Sequence, residues 1–215
     1  LLPPGCQIMS LQRNEWLINR SHNSLLHDSN IQLTQDAHGA VYQALSTTRF
    51  QLIHAHHYVH IGLDLLIALK TWFPSCPLIL TLHEYWAMCA YEGRLLRRNG
   101  RLCDGPSPRD CIECLGVEQR LNLEVRRLRI KHLFEKVDCF ISPSSFLKER
   151  YVDWGIKAER ICVIENLPHQ HRISHDESVK KSSTSSNDET QVIAYFGQVN
   201  PWKGIDRILE AFVSA

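Results

Sequence analysis

Short apolar runs alternate along this chain with longer stretches in which apolar residues return every third or fourth position. Runs of the first kind read as buried strands, and stretches of the second kind as amphipathic helices. The first clear run, Phe50 to Ala55 (FQLIHA), is followed at once by His56 and His57. Ile61, Leu65, Leu69 and Trp72 then stand at helical spacing, and Pro74 stops the helix after Phe73. Leu78 to Leu82 is the next strand. Strand, helix, strand makes a βαβ unit.

The alternation continues. Glu118 to Val137 reads as a surface helix with Leu121, Val125, Leu128 and Phe134 on one side and Arg126, Arg127, Arg129 and Lys131 on the others. Asp138 to Ser142 is a strand, Pro143-Ser144-Ser145 opens a helix that runs to Trp154 with Gly155 as its cap, and Arg160 to Ile164 is a further strand. Before all of these, His38 to Leu45 fits a short helix, while residues 1–36 show neither a period of two nor one of 3.6 and stay unassigned. From Pro168 to Thr190 the chain turns polar and Ser-rich, too poor in apolar surface to offset the entropy of ordering it, and reads as a linker. A strand restarts at Gln191 to Phe196, followed by a turn and a helix from Gly204 to Phe212 with Ile205, Ile208, Leu209 and Phe212 inward. The expected fold is α/β, a Rossmann-like doubly wound parallel sheet over residues 1–167, a linker over 168–190, and the start of a second α/β domain over 191–215.

Composition narrows the class. Of 215 residues 44% are apolar, enough for a globular core. Lys plus Arg number 24 against 23 Asp plus Glu, so charge offers no case for a nucleic-acid partner. No apolar run reaches the roughly 18 to 20 residues that span a bilayer, and the first residues lack a basic stretch followed by an apolar one. A cytoplasmic protein is expected, with the inner face of a membrane as a further place for it. The Arg-rich helix leaves peripheral membrane contact open, although Glu118, Glu124 and Glu135 favour a solvated face.

The candidate chemistry lies at strand ends. In open α/β sheets ligands bind outside the carboxyl ends of the strands, and there Leu82 gives way to His83, Glu84, Tyr85 and Trp86. His83 can hydrogen-bond a substrate or simply close its strand; Glu84 can orient an imidazole or pair with an Arg. His54, His56, His57 and His60 invite a metal, but the H-x-H-x-D-H pattern of binuclear hydrolases needs an Asp that this chain lacks, and no catalytic metal is expected. Lys203 follows Gly197-Gln198-Val199-Asn200-Pro201-Trp202 and precedes Gly204 at a helix start, a place suited to an anion, though a solvated lysine is the commoner outcome. Cys89, Cys103, Cys111 and Cys114 contain one C-x-x-C, half of a zinc knuckle, and leave bound zinc, free thiols and a redox pair all open. Cys6, Cys76, Cys139 and Cys162 stand in or beside apolar runs and read as core.

Five segments in order, LIHAHH, LTLHEYWAMC, CFISPSSFLKERY, ICVIEN and YFGQVNPWKGIDRILEAF, make residues 50 to 212 resemble the retaining glycosyltransferases of family 4. The resemblance implies a GT-B fold of two Rossmann-like domains, with residues 1–167 on the acceptor side and 191–215 opening the nucleotide-sugar domain. It also implies transfer of a hexosyl group from a nucleotide-diphosphate sugar to a saccharide, lipid-linked or other hydroxyl acceptor, with retention and without a cofactor. By the same likeness His83 contacts the donor sugar, His56, His57 and Glu84 face the acceptor, and Gly197, Gln198, Lys203 and Gly204 hold the donor diphosphate. Gln198 departs from the family pattern, which has an Arg there. A non-catalytic glycosyltransferase-like binding domain and a zinc-stabilised interaction module are the rival readings. The family's amino-terminal Gly-rich loop and its paired glutamates are not in this sequence, so a fragment without transfer activity of its own is the expectation.

Overall fold

Short apolar strands joined by helices line up in parallel, because each helix carries the chain back to the end from which the next strand starts. The computed structural model describes residues 6–12, 15–20, 35–58, 62–166, 194–197, 199 and 203–213. In chain order the elements are β1 (Cys6–Gln12), β2 (Glu15–Arg20), α1 (Gln35–Ser46), β3 (Ile53–Ala55), α2 (Leu63–Trp72), β4 (Leu78–Thr81), α3 (Pro108–Leu115), α4 (Arg120–Lys136), β5 (Cys139–Ser142), α5 (Ser145–Asp153), β6 (Ile161–Val163) and α6 (Ile205–Val213). The chain divides into two units, Leu1–Pro168 and His169–Ala215, each described by itself.

In the first unit β3, β4, β5 and β6 form a four-stranded parallel sheet in that order. Ala55 pairs with Leu80, Leu80 with Phe140, and Phe140 with Ile161, so one row of inward residues crosses all four strands. Leu78, Leu80, Phe140, Ser142 and Ile161 are buried on that face. Leu63 and Leu66 of α2, Ile130, Leu133 and Phe134 of α4, and Leu147 and Tyr151 of α5 complete the same core. A strand's side chains alternate between faces, and here His54, Ile79, Cys139, Ile141 and Cys162 alternate with that row and are exposed or half-exposed. The architecture is Rossmann-like α/β, as expected. Among the described residues no helix is long and apolar enough to cross a membrane.

Two polar ties set the strand ends. Asp138, one residue ahead of β5, accepts from the Leu78 N–H at 2.7 Å and from Lys70 Nζ at 2.7 Å, which joins the starts of β4 and β5 to α2. Ser144 caps α5 through its hydroxyl, which accepts from the Leu147 N–H at 3.2 Å.

Several expectations are corrected. The unassigned amino-terminal stretch holds the antiparallel hairpin of β1 and β2, with Ile8 opposite Ile18 and Met9 opposite Leu17. Adjacent apolar residues on both strands, and an irregularity between Ser10 and Gln12, hide the period of two. α1 starts at Gln35 and ends at Ser46, longer than the sequence pattern suggests. β3, β4 and β6 are shorter than their apolar runs, because pairing ends before apolarity does. α3 was unforeseen, although Ser107 before Pro108 is a helix start and Gly116 at φ 102° a helix end. Of the four apolar residues expected on one side of α4 only Phe134 is buried; Leu121 is 74% and Leu128 59% exposed, Val125 is exposed, and Arg126, Ile130 and Leu133 turn inward instead. The helix is apolar on two faces, and packing against α2 and the sheet selects between them. Cys76 is buried, but Cys139 is only half-buried and Cys162, on the outer face of an edge strand, is exposed; Cys6 has no described side chain.

In the second unit residues 194–196 are not in a strand, and no described strand lies beside them. α6 forms where expected, but Ile208, Leu209 and Phe212 are exposed, because no described element packs on them. The 168–190 linker and residues 191–193 lie outside the described residues.

The two faces of α4 give a direct test. Leu133→Ala removes a fully buried side chain and should cost about 2–5 kcal/mol of unfolding free energy. Leu128→Ala, on the outer face, should stay within about 0.5 kcal/mol of the parent. Urea unfolding of both variants measures the difference, and equal losses would reverse the assignment of faces.

Candidate functional site

A parallel sheet places the carboxyl ends of its strands along one edge, and two neighbouring strands here end in histidines. β3 runs out into His56 and His57, and β4 into Leu82 and His83. The last ladder bond of β4 is made by the Leu82 N–H to the Ile141 carbonyl at 2.8 Å. His83 is therefore the first residue past the sheet, and it is exposed.

The rings form a row. His54 and His56 have centroids 4.2 Å apart, and His56 stacks on His83 at 5.8 Å with 28° between planes. His54 Nε2 lies 2.8 Å from the Thr81 hydroxyl, which spans β3 and β4. The imidazole of His83 has no hydrogen-bond partner among the described residues. Glu84 closes the group from the other side. Its Oε1 is 3.2 Å from His57 Nε2, and its Oε2 accepts from the Trp86 N–H. One carboxylate thus ties the end of β3 to the turn after β4.

Charge explains the protonation state. Partial burial, reinforced by His56 and then His57, lowers the pKa of His83 below 6.5, against a weaker upward pull from Glu84. Burial, then His56 and His83, lowers that of His54. The lowered pKa values of His54 and His83 favour neutral rings at these two positions at neutral pH. A histidine whose folded pKa is depressed takes up fewer protons than its unfolded counterpart, so its contribution to stability is full above about 6.5 and declines as acid carries the pH down through the folded value.

Two side chains unmarked in the sequence hold this turn in place. Tyr151 of α5, buried, donates its hydroxyl to the Glu84 carbonyl at 2.8 Å. Burial raises its pKa well above 10, with Tyr58 and Glu84 adding to the effect, so it remains a neutral donor. Arg126 of α4, also buried, donates to the Ala87 carbonyl at 3.1 Å and to the Trp86 carbonyl. A cavity of about 260 Å³ beside α4, reached by Met88, Arg120, Glu124, Arg127 and Trp154, includes none of the histidines. The histidine row is an open ledge.

The expected site residues fall into two sets. His54, His56, His57, His83 and Glu84 are brought together as described, while His60 lies outside the described residues. Gly197, Lys203 and Gly204 belong to the second unit, with Lys203 exposed and Gly204, at φ 66°, immediately before α6; Gln198 lies outside the described residues.

The row predicts a coupled titration. By proton NMR, His54 and His83 should titrate below 6.5. In His56→Asn the pKa of His83 should rise, because a like charge beside it has been removed. A fall, or no change, would remove electrostatic coupling as the cause.

No curated protein and no solved structure matches the chain. The model of a protein family described as Glycosyltransferase Family 4 matches residues 9–167, a span that holds the whole parallel sheet and the histidine edge. The chain belongs to glycosyltransferase family 4.

Proposed function

We propose that this chain serves transfer of a hexosyl group from a nucleotide-diphosphate sugar to an acceptor hydroxyl, with retention of configuration. The observation that supports the reading is the neutral, unbonded imidazole of His83 at the carboxyl end of the central strand. In such a transfer the bond from the anomeric carbon to the diphosphate oxygen breaks, a bond to the acceptor oxygen forms, and the acceptor's proton leaves. The sugar gains positive character on the way, which a neutral hydrogen-bonding group tolerates and a cationic one would oppose. The lowered pKa of His83 suits that requirement.

Around it, His56 and His57 face the acceptor, and Glu84 orients His57 through the 3.2 Å contact. Negative charge builds on the departing diphosphate, and Gly197, Gln198, Lys203 and Gly204 of the second unit are assigned to it. Lys203 supplies the charge, beside the amino terminus of α6. Residues 1–167 act as the acceptor-side domain, and 191–215 belong to the donor side. The reaction takes place in the cytoplasm, where nucleotide sugars serve as donors.

The test is kinetic. In a parent protein that supplies both GT-B domains, assayed for transfer with a panel of nucleotide sugars, His83→Ala should lower turnover about 100-fold or more and leave nucleotide affinity within a few-fold, because the lost contact is to the reacting sugar. Unchanged turnover would take His83 out of the mechanism. Nucleotide-sugar binding without transfer in the parent would favour the non-catalytic binding domain instead.

A further inference from the structure

The segment between the histidine edge and α4 has little to hold it. From Cys89 to Gly116 the apolar residues buried, among the described ones, are Ala90 and Leu95, and neither belongs to the core that covers the sheet. A segment of this length with two buried apolar side chains has too small a core to define its own shape, and small units of this kind are commonly stapled by metals or disulfides. Yet its shape is specific. Glu92 at φ 53° and Leu95 at φ 48° adopt a backbone conformation that side chains disfavour. A short bridge joins Leu96 to Leu102, and the Cys103 N–H bonds the Leu95 carbonyl at 2.8 Å. Arg97 grips Asp110 with both guanidinium nitrogens at 3.1 Å, which fastens the bridge to α3.

All four cysteines of the segment line one small cavity. Cys89 and Cys103 reach it from the loop, and Cys111 and Cys114 from successive turns of α3. The cavity measures about 20 Å³, room for about one water-sized particle. The Cys89 thiol donates to the Tyr91 carbonyl at 3.6 Å and the Cys103 thiol to the Gly105 carbonyl at 3.2 Å. Among the described residues no three His, Cys, Asp or Glu groups already converge as a metal site. Each thiol turns on a single bond, and a 120° turn about a cysteine χ1 moves the sulfur by about 3 Å, so a bound ion would select other rotamers of these four side chains.

The geometry points to a structural zinc site formed by Cys89, Cys103, Cys111 and Cys114 around this cavity. Four thiolates select zinc or an iron–sulfur cluster, and a cavity of one-particle size suits a single ion. On binding, four S–H protons leave as four S–Zn bonds form, so affinity increases with pH. The zinc would join the loop after the site to α3, and through it to α4. This inference concerns structure alone and does not depend on the proposed sugar transfer.

The full chain, purified under reductant and without chelator, should contain about one zinc and no iron by elemental mass spectrometry. Exchange with Co²⁺ should give the absorption bands of a tetrahedral tetrathiolate. Cys111→Ser should retain less than about a fifth of the zinc, while Cys162→Ser, on the exposed edge strand, should keep it all. Should Cys111→Ser not fold, the parent gives the answer alone: a strong zinc chelator should make four further thiols reactive towards a disulfide reagent. Less than a tenth of an equivalent after incubation with zinc, full zinc in Cys111→Ser, stoichiometric iron, or disulfides among the four cysteines after alkylation in the lysate would each overturn the site.

Discussion

The central strand β4 constrains everything around it. Leu78 and Leu80 are 0% and 1% exposed, and the strand is bonded on both sides, to β3 and to β5. A strand in that position has no freedom to slip, because a shift of one residue would turn Leu78 and Leu80 out of the core and Ile79 into it. Its carboxyl end is therefore fixed to a single residue. The last ladder bond belongs to Leu82, so His83 and Glu84 are always delivered to the same point of the edge.

Past Leu82 the chain leaves the sheet with His83 and Glu84, and leaving a sheet has a cost. Backbone groups beyond the last ladder bond need partners, and near a core these have to come from side chains. Tyr151 answers the Glu84 carbonyl, and Arg126 answers those of Trp86 and Ala87. Both donors are themselves buried, and each would be costly without its acceptor. Donor and acceptor thus hold one another in place, and the turn that carries His83 and Glu84 is as well determined as the strand before it. The histidine row is an exposed surface on a rigid support, which a group that must meet a ligand in a defined orientation requires.

How far the chain could be read depended on the range of the interactions. The four parallel strands were legible because burial makes each a compact apolar run, and His56, His57, His83 and Glu84 were legible as the polar residues that end two of them. The hairpin of β1 and β2 was not, since its apolar residues lie side by side rather than in alternation. The inward face of α4 was misread because Leu121, Val125 and Leu128 make a regular stripe of their own, and nothing local says that Ile130 and Leu133 win the core. α3 carried its signals in Ser107, Pro108 and Gly116, but they sat inside a stretch dominated by cysteines. Tyr151 and Arg126 could not have been found, because their partners lie 67 and 39 to 40 residues away.

The histidine edge and the cysteine loop also meet directly, at Gly93. Its φ of 65° suits glycine, and a Cβ there would stand 3.0 Å from the Trp86 nitrogen and 3.1 Å from Glu84 Oε2. The loop therefore folds back towards the carboxylate that holds His57, close enough that a Cβ would fit only if its neighbours gave way by a few tenths of an ångström. Arg94, one residue on, stacks over the Tyr91 ring at 4.7 Å and pairs with Glu92, so the approach is braced within the loop itself. Glu84 is held by Tyr151 through its carbonyl and by Trp86 and His57 through its carboxylate, with Gly93 passing close beside the carboxylate. A change in the loop that moved Gly93 would be felt first at Glu84 and then at His57. Any constraint that fixes the shape of the cysteine loop consequently helps to fix one wall of the histidine edge.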